Sequence, residues 1–333
     1  MGRESRTAEQ GLSRGFQDWA ESCCNARVVS AERLPGGAGA RRYVRIRLSD
    51  GASAIWMHAL PEDPEVLPPA LRTASEELPF VQVTEFLAGQ GLPVPQLYGV
   101  QHAQRWVLLE DLGDQRLCDL PRAQRLERQR QAAELLARVH LLPHAEALPF
   151  TRFFDAAWIR FELDHFQAYG TPREFRDTLV PELEALIEHI GQLPRTLCLR
   201  DFQSQNLMID ASGNLRILDY QDALLAPPEL DLAAFLYDSY VEISETERRD
   251  LLERYAAERG QMPEAASLAL LIVQRKCKDY ARFRYLSREK YDARFEPFEE
   301  AARQAVLSSL PRLPAGLEGL RRALVQALSM GPR

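Results

Sequence analysis

The sequence predicts an α+β protein in two parts: a small, mostly antiparallel sheet with one helix over about residues 20–110, and a larger helical part beyond it. Three observations carry this. Between Ala26 and Leu109, short runs of strand-like alternation flank a single helical stretch. Beyond Gly113 the apolar spacing becomes helical. Within that helical part, two short apolar runs on either side of Ser212-Gly213 read as a hairpin with polar and acidic residues at its ends. At 333 residues the chain is long enough for such a division, which we draw at 1–112 and 113–333.

Taken in order, the residues up to Asn25 form a helix that caps the first part. Strand character follows from Ala26 to Leu60, interrupted by Leu34–Ala40 with Gly36, Gly37 and Gly39. After the break, Val44, Ile46 and Leu48 fall on one face and Tyr43, Arg45 and Arg47 on the other. A glycine-rich turn between strands lays backbone amides over phosphate groups, although tight hairpins need glycine as well. The prolines at 61, 64, 68 and 69 predict a loop over 61–72. Phe80, Val83, Thr84 and Leu87 then mark a helix face that Gly89 and Gly91 end. Strands over Gln96–Gln101 and Arg105–Leu109 lead into Glu110-Asp111-Leu112-Gly113. Leu126, Ala133, Leu136, Val139 and His140 share a helical face, and a histidine at the end of such a stripe reads as a packing residue. Asp231, after two prolines, suits a helix N-terminus. Gln274–Lys290 holds seven basic residues against two acidic ones, with Arg275, Lys278, Asp279 and Arg282 on one face; a solvated face and an anion-facing one both fit.

Composition narrows the function. A formal charge of −7 leaves no basic footprint, so nucleic acid is not expected as a partner. Cys23, Cys24, Cys118, Cys198 and Cys277 have no metal-like spacing and are expected as reduced thiols in a cytoplasmic protein. The opening MGRESRTAEQ lacks the apolar core of a secretory signal, and Arg6 breaks the myristoylation pattern. The longest apolar run, around Ala269–Val273, is too short for a bilayer, so no membrane partner is expected.

The chemistry gathers around the hairpin. With a two- or four-residue loop, Asn206 lies opposite Asp219, close enough for an amide oxygen and a carboxylate to share one small cation. Asp201, five residues ahead, faces the same end. Phosphoryl transfer asks for these parts: a metal on the phosphate oxygens and a carboxylate that orients the attacking hydroxyl and takes its proton. The D-x4-N spacing, the hairpin and the strand-terminal Asp resemble the catalytic and metal-binding loops of the protein-kinase-like superfamily. Tyr220-Gln221-Asp222, in place of Phe-Gly after the metal Asp, resembles the aminoglycoside phosphotransferase branch. RD-x4-NLM, LDYQDAL and PPELDLAAFLYDSY are most similar to its bacterial amino-sugar kinases, which act on N-acetylmuramate and N-acetylglucosamine at the anomeric position in cell-wall recycling.

That resemblance implies a two-lobe kinase-like fold with ATP between the lobes, Asp201 as catalytic base, and Mg2+ on Asn206 and Asp219. Gly36, Gly37 and Gly39 would cover the phosphates, and main-chain groups near Glu110 and Leu112 would hold adenine. The strand expected to carry a phosphate-gripping lysine has Met57-His58 instead, leaving Arg41 and Arg42 to supply positive charge. Leu199 and Gln203 stand where the sugar kinases have histidines, and Gln203 bears on acceptor choice. Asp222, Glu162, Arg275 and Lys278 are the implied acceptor contacts, with Trp158 and Phe166 beside them, and Asp231 would brace the catalytic loop. The expected partner is a small-molecule sugar and the expected state a monomer. Two alternatives stand beside this: an aminoglycoside O-phosphotransferase, and a nucleotide-binding pseudokinase suggested by the missing lysine and Leu199.

Overall fold

The computed structural model describes residues 12–35, 40–61, 68 and 78–329. Helix α1 (Arg14–Cys24) begins where the Ser13 hydroxyl accepts a hydrogen bond from Phe16 N and ends at Asn25 in the left-handed region, φ 52°. Strands β1 (Val28–Arg33), β2 (Arg42–Leu48) and β3 (Ser53–His58), helix α2 (Pro79–Gly89), and strands β4 (Leu97–Gln101) and β5 (Trp106–Glu110) complete the first part. The strands form one antiparallel sheet in the order β1-β2-β3-β5-β4. The alternation in β2 behaves as expected. Ile46 and Leu48 close a small core with Phe16, Ala20, Ala54 and Leu108 under α1, where Phe16 stacks on Trp56 at 4.1 Å. On the other face Met57 and Val107 join Phe80, Val83 and Leu87 of α2 in the main core. The glycine turn with Gly36, Gly37 and Gly39 lies outside the described residues, as does most of the expected loop at 61–72.

The rest is helical, built from α3 (Arg122–His140), α4 (Ala156–Tyr169), α5 (Arg176–Gly191), α6 (Glu229–Leu236), α7 (Glu245–Arg259), α8 (Ala265–Arg284), α9 (Glu296–Ser309) and α10 (Glu318–Ser329). Two small antiparallel pairs are set among these helices, β6 (Thr196–Cys198) with β9 (Leu224–Ala226) and β7 (Leu207–Ile209) with β8 (Leu215–Ile217). Helix α8 is the axis of this half. It packs against α4, α6 and α9 and is buried from Ser267 almost to its end, with Arg275 and Lys276 inside. The main core runs without a break from Met57 to Leu328, across the division drawn at residue 112. Polar ties cross it too: Ile217 N donates to Pro93 O, and Arg216 bridges Glu110, Asp210 and the Val94 carbonyl.

The hairpin forms where expected but one residue out of the expected register. Leu207 pairs with Ile217 and Ile209 with Leu215, so Asn206 lies opposite Leu218, not Asp219. The loop has three residues. Asp210 N donates to Asn214 O, Gly213 N donates to Asp210 O, and Gly213 sits at φ 80° as the left-handed residue such loops need. Asp210 Oδ1 locks it by accepting from Ser212 N and Asn214 N. An odd loop length shifts the whole ladder by one position. Gly213→Val should therefore lower stability by about 1–2 kcal/mol, because a β-branched side chain resists positive φ, and Gly213→Asn by less. Urea unfolding of the two variants checks this, and equal stabilities would contradict it.

Candidate active site

Strand β6 delivers Leu199, Arg200 and Asp201 to the open end of the helical part. Arg200 has a left-handed backbone, φ 73°, a conformation a non-glycine residue holds only when its surroundings impose it. Asp231, fully buried in the first turn of α6, imposes it from below by accepting from Leu199 N and Arg200 N, both at 2.7 Å. His140 Nε2 lies 3.2 Å from the same carboxylate and His140 Nδ1 2.8 Å from Tyr255 OH, so His140 is a buried supporting residue away from the reaction centre. Asp231 thus holds the backbone immediately before Asp201. Ligand atoms of His140, Cys198 and Asp231 come within 4.8 Å of one another, but hydrogen bonds inside the fold already engage all three.

Downstream of Asp201, Asn206 Nδ2 donates to Asp201 O at 2.8 Å, leaving Oδ1 as the acceptor it offers outward. Gln203 enters through its main chain, where its carbonyl accepts from Asn206 N. Asp219 also has positive φ, 59°, and its Oδ1 receives Gln221 Nε2 at 3.0 Å and Arg41 Nη2 at 3.3 Å. Arg41 reaches Gln221 Oε1 as well, at 2.8 Å, tying the start of β2 to the hairpin end. Burial pushes the Asp219 carboxyl up and the nearby Asp201 carboxylate adds to this against the pull of Arg41, while 43% of the side chain stays accessible. The donors on offer at Asn206 and Asp219 are hard oxygens with surplus negative charge beside them, a set that suits a hard divalent cation.

The Asp201 carboxylate has a cationic surround. Its Oδ1 accepts from Arg275 Nη2 at 2.6 Å, while Oδ2 lies 3.9 Å from Arg200 Nη1. Burial pushes this carboxyl up, but Arg275, Lys278 and Arg200 outweigh that and hold it below the usual range. Arg200 spreads between Asp222 Oδ2 at 2.9 Å and Glu162 Oε1 at 3.1 Å, with its guanidinium 5.2 Å from the centre of the Trp158 ring. Glu162 also accepts from Trp158 Nε1 and Gln274 Nε2, so both its oxygens are engaged within the protein and it stands behind Arg200. Lys278 sits 3.5 Å from Asp279, and burial with neighbouring Arg275 draws its pKa down against the pull of Asp279, Asp201 and Glu162.

The structure thus brings Asp201, Asn206, Asp219, Asp222, Arg41, Arg275 and Lys278 into one region. Arg42 lies apart, exposed on β2 opposite His58. Phe166 is wholly buried. At the end of β5, Glu110 holds Arg216 through its side chain and Leu112 is buried. Sequence reasoning missed three arginines. Arg200 was adjacent to Asp201 and could have been read from that. Arg45 falls on the strand face opposite Val44, Ile46 and Leu48, where it fastens the segment after β5 through Asp111, at 2.8 Å, and Asp114. Arg152 donates to Gln221 O from a chain-distant loop, and no local signal marked it.

A sequence model of the phosphotransferase enzyme family matches residues 30–268. An N-acetylmuramate/N-acetylglucosamine kinase of Pseudomonas aeruginosa is 29% identical over 256 residues, covering 71% of each chain. Among solved structures, a choline kinase of Streptococcus pneumoniae superposes with a TM-score of 0.66 at 15% identity, over 89% of this chain and 98% of that one. A spectinomycin phosphotransferase solved with ADP and spectinomycin gives 0.60 at 11% identity, over 91% and 100%. The structural likenesses bear out the kinase-like α+β fold.

One titration follows from the packing of α4 on α8. Burial, with Arg282 and Lys278 nearby, lowers the pKa of His165 from 6.5 to about 4, and its Nε2 has no hydrogen-bond partner among the described residues. Between these values the unfolded chain binds the proton and the folded chain does not, so stability is lost as pH falls through that window. Unfolding at pH 7 and pH 4.5 should show the wild type losing about 1–2 kcal/mol more than His165→Phe, a figure reduced for partial solvent access. Equal losses would contradict it.

Proposed function

The chain belongs to the phosphotransferase enzyme family, and from that premise we propose that it is an ATP-dependent kinase of an amino sugar. The acceptor we favour is N-acetylmuramate or N-acetylglucosamine, phosphorylated at the anomeric hydroxyl by a cytoplasmic monomer that serves cell-wall sugar recycling. The observation that carries this reading is the Asp201 carboxylate held at 2.6 Å by Arg275 and flanked by Arg200, with Arg275, Lys278 and Arg200 together keeping it below the usual carboxylate range. The similarity to a kinase named for those two sugars supports the acceptor class. No helix among the described residues is long and apolar enough to cross a membrane.

In this reading Asp201 Oδ2, the oxygen that Arg275 does not occupy, receives the acceptor hydroxyl, orients it, and takes its proton as the phosphoryl group leaves the nucleotide. Asn206 Oδ1 and Asp219 would hold Mg2+, which supplies charge neutralisation on the phosphate oxygens. Arg41, placed beside Asp219, brings to the phosphates the positive charge that Met57-His58 does not. Main chain around Glu110 and Leu112, held by Arg45 through Asp111 and by Arg216, would form the wall for adenine. Asp222 and Lys278 face the acceptor. Glu162 and Arg275 act behind them, and Gln203 contributes its carbonyl to the loop. A polycationic aminoglycoside would bring like charge against Lys278 and Arg200, whereas a neutral sugar or one with a carboxylate would not.

An ATP-consumption screen over amino sugars and aminoglycosides tests this. Turnover should depend on N-acetylmuramate or N-acetylglucosamine, fall by about 10³-fold in Asp201→Asn, and vanish with a chelator. Lys278→Ala should raise the acceptor KM about tenfold, more for the sugar with a carboxylate. Turnover with aminoglycosides alone, or nucleotide binding without turnover on any acceptor, would overturn the proposal.

A further inference from the structure

Arg275 was expected to meet the acceptor. Its geometry points elsewhere. The side chain is 2% exposed and comes from the middle of α8, a helix buried along most of its length. Its three nitrogens have separate partners: Nη2 donates to Asp201 Oδ1 at 2.6 Å, Nη1 to the Arg200 carbonyl at 2.8 Å, and Nε lies 3.2 Å from Asp279 Oδ1. Asp279 is itself held by Lys276 Nζ at 2.9 Å, and Lys276 reaches Ser239 Oγ at 3.3 Å. The guanidinium is therefore fixed from behind before it touches the catalytic loop.

What it holds is the strained peptide. Arg200 has φ 73°, its N–H is taken by Asp231 from α6, and its carbonyl is taken by Arg275 from α8. The second arm of the same guanidinium takes Asp201 Oδ1, so one rigid fork sets both the peptide before Asp201 and the orientation of its carboxylate. Oδ1 is consumed by that contact. Oδ2, with Arg200 Nη1 at 3.9 Å, is the oxygen left to face an incoming hydroxyl.

We propose that Arg275 is a positioning residue that acts through Asp201, setting which carboxylate oxygen is presented to the acceptor, and that Lys278, one helical turn further on, is the α8 cation that meets the acceptor. This rests on the sugar-kinase reading above. It makes α8 the element that couples the packing of the helical part to the aim of the catalytic carboxylate.

A double-mutant cycle in the full-length protein tests it, using sugar-dependent ATP consumption with Arg275→Ala, Asp201→Asn and the double variant. If Arg275 acts through Asp201, Arg275→Ala lowers kcat about 100-fold with the acceptor KM changed less than about threefold, and in the Asp201→Asn background it costs less than about threefold. Multiplicative losses in the double variant, or a raised acceptor KM with kcat intact, overturn the inference. Arg275→Lys serves if the alanine variant does not fold, with binding of a fluorescent ADP analogue reporting a native nucleotide site. Lysine keeps the charge but cannot fork, so kcat should still fall about tenfold at unchanged acceptor KM, and an unchanged kcat overturns the inference. Absence of sugar-dependent turnover in the wild type sinks the sugar-kinase reading itself, whereas turnover with a multiplicative cycle sinks only the role given to Arg275.

Discussion

The backbone at Arg200 is the constraint on which the site depends. A left-handed arginine costs on the order of 1 kcal/mol or more, and the chain adopts it because two N–H groups in succession enter the carboxylate of Asp231. That carboxylate is buried in the first turn of α6 and shared with His140, itself anchored to Tyr255. The turn directs Asp201 toward the hairpin, where Asn206 returns a hydrogen bond to its carbonyl. Phosphoryl transfer leaves the protein little covalent work, so the rigidity of this one turn carries much of the chemistry proposed here.

Around the turn the fold buries charge in balanced groups. Arg275, Lys276 and Lys278 of α8 face Asp279 and Asp201, and Arg200 lies between Glu162 and Asp222. Placing so many ions in a protein interior is costly unless each is paired and hydrogen-bonded, and removing one member leaves the others uncompensated. The result is a cationic surface near Asp201 whose cations are held by acids set behind them. At the hairpin end the charges are paired as well. Asp219, with an upward-shifted carboxyl, has Arg41 and Gln221 as its partners.

Much of this was legible in the sequence because it is local. The alternation of Ile46 and Leu48, the helical stripe ending at His140, the acids after Asp201 and the turn at Ser212-Gly213 each follow from a few adjacent residues. The register of the hairpin was not, because it depends on whether Gly213 takes positive φ in a three-residue loop, and Ser-Gly is compatible with several turn lengths. The basic stretch on α8 reads from its charge as a solvated face and, through the resemblance to sugar kinases, as an acceptor-facing one. Its burial comes from packing against α4, α6 and α9, which no local pattern encodes. Arg45 and Arg152 were invisible for the same reason: their partners, Asp111 and Gln221, lie more than sixty residues away in sequence.

The central claim is that Asn206 and Asp219 hold a divalent cation beside a carboxylate kept free for the acceptor. A crystal structure of the protein with Mn2+ and a non-hydrolysable ATP analogue, phased to locate the manganese by its anomalous signal, tests it most directly. One strong peak is expected at about 2.1 Å from Asn206 Oδ1 and an Asp219 oxygen, with Asp201 Oδ2 not bound to the metal. A peak bound elsewhere, as among His140, Cys198 and Asp231, or one with Asp201 drawn onto the metal by both oxygens, would contradict it.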